Sequence, residues 1–131
     1  MRVRTVTLAE VCSHCSGAPV DFLKIDVEGF EKQVIRSGDW EMFRPRVVVV
    51  EATAPQLSGD EMAPPIWIQS QPEWDGILTA EGYRCTLFDG LNRFYAQADD
   101  QQAVEYLSVP ANVTDRYERF ATATHIANLE A

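Results

Sequence analysis

The sequence predicts an α/β protein with a mixed sheet, in the order β-α-β, long loop, helix, β-hairpin. Three observations predict it. Val20–Val27 is an apolar run with charged side chains at every second position. Val47, Val48, Val49 and Val50 form an unbroken β-branched run, with a helical pattern between the two runs. Tyr83–Phe88 and Leu91–Ala96 flank Asp89-Gly90, a strong two-residue hairpin signal.

Taken in order, Arg2–Thr7 alternates weakly and reads as a short edge strand. Thr7 is placed to cap a short helix beginning near Leu8, and Ser16-Gly17-Ala18-Pro19 breaks it. Val20–Val27 is the first strand. Its period of two puts Lys24, Asp26 and Glu28 on one face and Leu23, Ile25 and Val27 on the other. Gly29 follows where a sharp strand-to-helix turn needs it. Phe30–Ser37 reads as a helix, with Phe30, Val34 and Ile35 toward the sheet and Glu31, Lys32 and Arg36 toward water. Gly38 ends it, and Trp40 and Phe43 pack over its end.

The valine run then fits a parallel strand covered on both faces, ending at Glu51. Together these make a βαβ unit. Residues 53–72 form a long proline-rich loop beyond the carboxyl ends of the strands, where open α/β sheets place their binding residues. Pro72–Glu81 reads as a helix through Trp74, Ile77 and Leu78, and Gly82 closes it. After the hairpin come a short helix over Gln101–Leu107, a loop over Ser108–Asn112, and a last helical segment that Asp115 caps, running to about Phe120. Residues 121–131 are a tail without pattern.

The 131 residues amount to one domain, and 46% hydrophobic content is too rich for disorder. Twenty acidic residues against eleven basic ones give a net charge of −9. That balance argues against nucleic acid or an anionic membrane as a partner. No apolar stretch approaches the roughly 20 residues needed to span a bilayer, and the start has no signal-peptide pattern, so a cytoplasmic location is expected. Cys12-Ser13-His14-Cys15 has the spacing of a redox pair or of half a zinc site. Zinc would want two further ligands, and Cys85 and His125 are isolated. The plain alternative is a surface helix or loop with reduced thiols. No metal site is assigned, because Asp26, Glu28 and Glu51 have no standard ligand spacing for Mg²⁺.

The chain resembles the C-terminal half of the FkbM-type methyltransferases, which use S-adenosylmethionine. The matching residues are the Thr7-Leu8 segment, Asp21-Phe22-Leu23-Lys24-Ile25-Asp26-Val27-Glu28-Gly29-Phe30-Glu31, Arg44-Pro45 with the valine run to Glu51, and Trp74 before Glu81-Gly82-Tyr83. Phe88-Asp89-Gly90-Leu91-Asn92-Arg93-Phe94-Tyr95 and Val109-Pro110-Ala111-Asn112-Val113 with Asp115 follow in family order. The likeness spans residues 5–120. It implies the C-terminal part of a class I, Rossmann-like methyltransferase sheet, with Val20–Val27 as strand four, Val47–Glu51 as strand five, and the hairpin as the closing pair. The family's Gly-rich cofactor-binding half is expected upstream of residue 1, which makes residues 1–131 a single partial domain. The chain alone is then expected to be inactive and to bind little cofactor, whether it is a fragment or a truncated reading frame.

The activity implied is S-adenosylmethionine-dependent O-methylation of a small hydroxyl acceptor, such as a sugar. A truncated, non-catalytic binding or interaction domain is the alternative. By the resemblance, Asp26 stands between cofactor and acceptor, orienting the acceptor or acting as base, with Glu28 and Lys24 beside it. Against this, Asp26 simply pairs with Lys24 while Glu28 favours the next helix's first turn. Glu51, Asn92, Arg93 and Trp67 are the acceptor-binding candidates. Asn92 has a plain alternative role in fixing the turn, and Trp67 in core packing. A half-sheet leaves an open edge and an uncovered face, so a dimer or larger assembly is expected.

Overall fold

The computed structural model describes residues 3–15, 18–52, 55–56, 66–67 and 72–111. The expected segment Asp115–Phe120 and the tail lie outside the described residues, as do Asn112 and most of residues 53–72.

Helix α1 spans Leu8–Cys12, with Thr7 as its cap: the Thr7 hydroxyl accepts from the Glu10 N–H at 3.1 Å. A 3₁₀ turn, Ser13–Cys15, continues it. Residues 3–7 are irregular, not the expected edge strand, and Val3 and Val6 are exposed. Among the described residues no strand lies beside them to supply ladder partners. Strand β1 is Phe22–Ile25, shorter than expected. Its pairing nevertheless begins earlier, since the Val20 and Asp21 carbonyls accept from the Arg46 and Val47 N–H groups.

The chain leaves β1 through a turn in which Glu28 (φ 50°) and Gly29 (φ 96°) are both left-handed. Helix α2, Glu31–Arg36, follows, and two expectations for it reverse. Phe30 is 63% exposed while Glu31 is only 8% exposed. The reason is local. The Glu31 carboxylate folds back to accept from the Val27 N–H at 3.3 Å and the Gly29 N–H at 3.1 Å. Those turn donors would otherwise go unpaired. Ile35 is fully buried, and Trp40 packs over the helix end, its indole N–H donating to the Ile35 carbonyl at 2.9 Å.

Strand β2, Val47–Glu51, runs parallel to β1 with Ile25 beside Val50. Its Val48 and Val50 are fully buried, but Val47 and Val49 are only partly so. The expectation of cover on both faces therefore fails among the described residues. Next come the short strands β3, Pro55–Gln56, and β4, Ile66–Trp67, paired antiparallel. Helix α3, Asp75–Ala80, buries Leu78, with Trp74 just before it, and Gly82 (φ 82°) turns the chain into the hairpin.

The hairpin is β5, Tyr83–Phe88, and β6, Asn92–Gln97. Gly90 takes φ 100° at its tip, and an Asp89 carboxylate oxygen accepts from the Leu91 and Asn92 N–H groups. Strand β6 inserts antiparallel between β2 and β5, so the sheet order is β1-β2-β6-β5. Helix α4, Gln101–Tyr106, starts at Asp100, which caps it and also pairs with Arg46. The core lies on one face of the sheet, where Ile25, Val48, Val50 and Tyr95 meet Ile35, Trp40, Trp74 and Leu78. Among the described residues no helix is long and apolar enough to cross a membrane.

Candidate active site

Parallel pairing brings the carboxyl ends of β1 and β2 side by side. Because Ile25 lies opposite Val50, the next residues along, Asp26 and Glu51, are neighbours on the face turned away from the core. Glu28 joins them through the left-handed turn. One carboxylate oxygen from each of Asp26, Glu28 and Glu51 lies within 4.8 Å of the others. Lys24, two residues before Asp26 on the same face, places Nζ 2.9 Å from the Asp26 carboxylate.

The two central carboxyls are held in unlike states. The hydrogen bond from Lys24, and then one from Glu51, hold the Asp26 carboxyl below the usual aspartate range. Burial, followed by the hydrogen bond and the negative charge of Asp26, pushes the Glu51 carboxyl above the usual glutamate value, and Glu28 and Glu31 add to this. Lys24 is held more firmly protonated by its hydrogen bond to Asp26. Of the two, Glu51 is thus the carboxyl that holds a proton more tightly and Asp26 the one more readily ionised. A carboxyl held above its normal range, beside one kept ionised, is a pattern that serves proton transfer.

Asn92 pairs with Glu51 across β2 and β6. Its amide N–H donates to the Asp89 carboxylate at 3.3 Å, while its side-chain carbonyl oxygen is buried without a partner. Burial works against ionised Asp89, but the Asn92 and Leu91 N–H groups outweigh it and bring its carboxyl down. The turn-fixing role foreseen for Asn92 is therefore shared with Asp89, which accepts the bonds.

Arg93 is in register with buried Val50 and lies on the core face. There its guanidinium sits 3.6 Å from Asp75 and over the Phe88 ring. Asp75 in turn accepts from the Tyr95 hydroxyl at 2.5 Å. Strand alternation thus separates Arg93 from the carboxylate rim that Asn92 adjoins. Trp67 has its backbone in β4, and its side chain lies outside the described residues. Trp74 is core, edge-on to Tyr95.

The structure therefore brings Lys24, Asp26, Glu28 and Glu51 together, with Asn92 adjacent. Glu31, read from the sequence as solvent-facing, is the residue that was missed. It fixes the turn carrying Glu28. The signal available was its position two residues after a glycine that must turn sharply, where a carboxylate can reach the freed N–H groups.

Among the described residues the Cys12-Ser13-His14-Cys15 spacing gathers no metal set. The His14 ring nitrogen bonds the Ser13 hydroxyl. Among the described residues, the only group of three ligand-type side chains is the Asp26, Glu28 and Glu51 rim.

The family model described as the Methyltransferase FkbM domain matches residues 1–85. The match takes in β1, α2, β2, α3 and the start of the hairpin, and stops before Asn92 and Arg93. No curated protein and no solved structure matches the chain. A family match over more than half of the chain makes it a member of the FkbM methyltransferase family.

Proposed function

From that family membership we propose that this chain forms the acceptor-facing part of an S-adenosylmethionine-dependent O-methyltransferase acting on a hydroxyl of a sugar or another small polar molecule. The sheet order β1-β2-β6-β5 is read as strands four, five, seven and six of a class I sheet, with β1 and β2 ending at the cleft. The observation that carries the reading is the meeting of Lys24, Asp26, Glu28 and Glu51 at the ends of adjacent parallel strands.

The rim suits the proposed cofactor in one respect. Asp26, Glu28 and Glu51 set negative charge where a sulfonium would lie, and Asp26 is the residue that would face it. When bound, S-adenosylmethionine supplies an electrophilic methyl group. No Gly-x-Gly-x-x-Gly cluster occurs in these 131 residues.

This chain's residues would orient the acceptor and manage its proton. The acceptor hydroxyl donates to ionised Asp26, which Lys24 keeps charged. As the hydroxyl oxygen becomes bonded to carbon, its proton would pass to the Asp26 carboxylate, the group of the rim kept most readily ionised. The Asn92 carbonyl oxygen offers a further acceptor for a neighbouring hydroxyl of the same molecule.

Asp26→Asn in the intact protein tests this. Methyl transfer from S-adenosylmethionine to a panel of polyhydroxylated small molecules should fall about a hundredfold or more in kcat, the usual worth of a positioned base, with the unfolding midpoint little changed. Undiminished turnover in Asp26→Asn would remove Asp26 from the chemistry.

A further inference from the structure

The most distinct feature outside the rim is the pair of thiols at the opposite end of the sheet. Helix α1 ends at Cys12, and the 3₁₀ turn that continues it ends at Cys15. Residues three apart on one helical run are neighbours, with Cβ atoms about 5–6 Å apart, and 3₁₀ geometry stacks them more directly. A disulfide needs Cβ atoms about 3.5–4.5 Å apart, so closure here asks the two Cβ atoms to approach by about 1–2 Å. Both cysteines are free thiols, Cys12 buried and Cys15 exposed. Both line one pocket of about 410 Å³, together with Ala18, Pro19, Met42 and Phe43. Val20 and Arg44 complete its lining. Val20 leads into β1 and Arg44 toward β2, so the pocket sits at the amino ends of the parallel pair.

We propose that Cys12 and Cys15 are a thiol–disulfide exchange site, at which an anionic small-molecule disulfide of the glutathione type enters this pocket and oxidises the pair to an intramolecular disulfide. Cys15, the accessible thiol, attacks first as thiolate. A bond forms between its sulfur and one sulfur of the incoming disulfide, and the other half leaves as a thiolate that takes up a proton. Cys12 then loses its proton to solvent and attacks the Cys15 sulfur, expelling the second half. The protein dithiol loses two electrons and two protons, and one small disulfide becomes two thiols.

The order follows from the surroundings. Burial, and then the neighbouring Cys15, push the Cys12 thiol above its usual value, so Cys12 is the slower group to ionise. Arg44 favours an anionic reagent. Its guanidinium donates to the Trp40 and Glu81 carbonyls, and no carboxylate pairs with it among the described residues. Cys85 lies apart, on β5, its sulfur beside the Arg93 guanidinium.

The test equilibrates the full chain with mixtures of glutathione and glutathione disulfide, quenches in acid, alkylates, and maps thiols by peptide mass. The pair should be recovered cross-linked, with Cys85 alkylated. Half-oxidation should come at a glutathione disulfide concentration at least about tenfold below that needed to half-load the Cys15 adduct in Cys12→Ala, because the second step is intramolecular. Cys15→Ser, at an exposed position that spares the fold, should leave Cys12 unmodified under the same mixtures. Full alkylation of both thiols in the wild type, a Cys15 adduct as lasting there as in Cys12→Ala, or modification of Cys12 in Cys15→Ser would each overturn the proposal.

Discussion

Replacing Glu31 with alanine separates the structure's account of the β1–α2 turn from the pattern of the sequence. Amphipathic spacing places Phe30 against the sheet and Glu31 in water. The structure reverses the two, and the reversal has a measurable cost attached. The Glu31 carboxylate accepts from two backbone donors, Gly29 at 3.1 Å and Val27 at 3.3 Å. Hydrogen bonds to a charged group contribute about 1.5–3 kcal/mol each. The longer bond is the weaker, and Val27 and Gly29 are exposed enough for water to replace part of what is lost. The expected cost of Glu31→Ala is therefore about 2–3 kcal/mol. Phe30 keeps 63% of its surface in water, so Phe30→Ser removes only the remaining third of a burial worth at most about 3 kcal/mol, or about 1 kcal/mol. Glu31→Gln keeps an acceptor oxygen without the charge and should fall between wild type and Glu31→Ala. Urea unfolding followed by tryptophan fluorescence reads all three as midpoint shifts at constant slope. If Phe30→Ser proves the more damaging, or Glu31→Ala lies within about 0.5 kcal/mol of wild type, the turn is not held by Glu31.

Two further outcomes follow from the same coordinates. Glu51 has its folded pKa raised, so its contribution to stability is complete below the ordinary glutamate value and is lost as pH rises through the folded value; Glu51→Gln should thus unfold at a higher temperature than wild type at pH 8 and show no such gain at pH 4, and the opposite order in calorimetry would contradict the upward shift of Glu51. A Cβ at Gly38 would stand 2.9 Å from the Trp40 indole nitrogen and 3.2 Å from Leu8, and because that indole is tied to the Ile35 carbonyl, Gly38→Ala should cost about 1–3 kcal/mol; Gly76→Ala, in α3 with nothing within 4 Å, should instead gain up to about 1 kcal/mol, and equal melting of the two would refute the clash.

Much of the sheet was legible because its signals are local. The Val47–Glu51 run, the Asp89-Gly90 turn and the alternation of Lys24 and Asp26 each follow from backbone geometry over a few residues. The carboxylate rim was half legible. Period two put Lys24, Asp26 and Glu28 on one face, but Glu51 reaches them only through the register that sets Ile25 beside Val50. The pairing of Asn92 with Arg93 as two pocket residues was open to challenge from the same period, since adjacent strand residues face opposite ways, and Arg93 indeed turns to Asp75. What stayed hidden depends on φ angles and on absent neighbours. The inward turn of Glu31 requires left-handed residues at Glu28 and Gly29. The half-exposure of Val47 and Val49 requires knowing what lies over that face, on which a run of four valines is silent.

Glu28 joins these threads. A glutamate at φ 50° is held where side chains other than glycine are disfavoured, and such strain persists only where the surroundings over-determine it. Here they do: Gly29 relieves the crowding on one side, and Glu31 claims the N–H groups of Val27 and Gly29 on either side of it. An unstrained exit from β1 would continue the strand and carry the Glu28 carboxylate away along the chain direction. The left-handed step instead folds it back to within 4.8 Å of Asp26 and Glu51. Three negative groups are thus gathered against their mutual repulsion, with one lysine at the strand end as direct counter-charge. Burial first, and then this repulsion, push the Glu51 carboxyl above the usual glutamate value. The turn, the buried Glu31 and the raised Glu51 are therefore one arrangement, in which backbone strain is converted into an unlike pair of carboxyls at the mouth of the sheet.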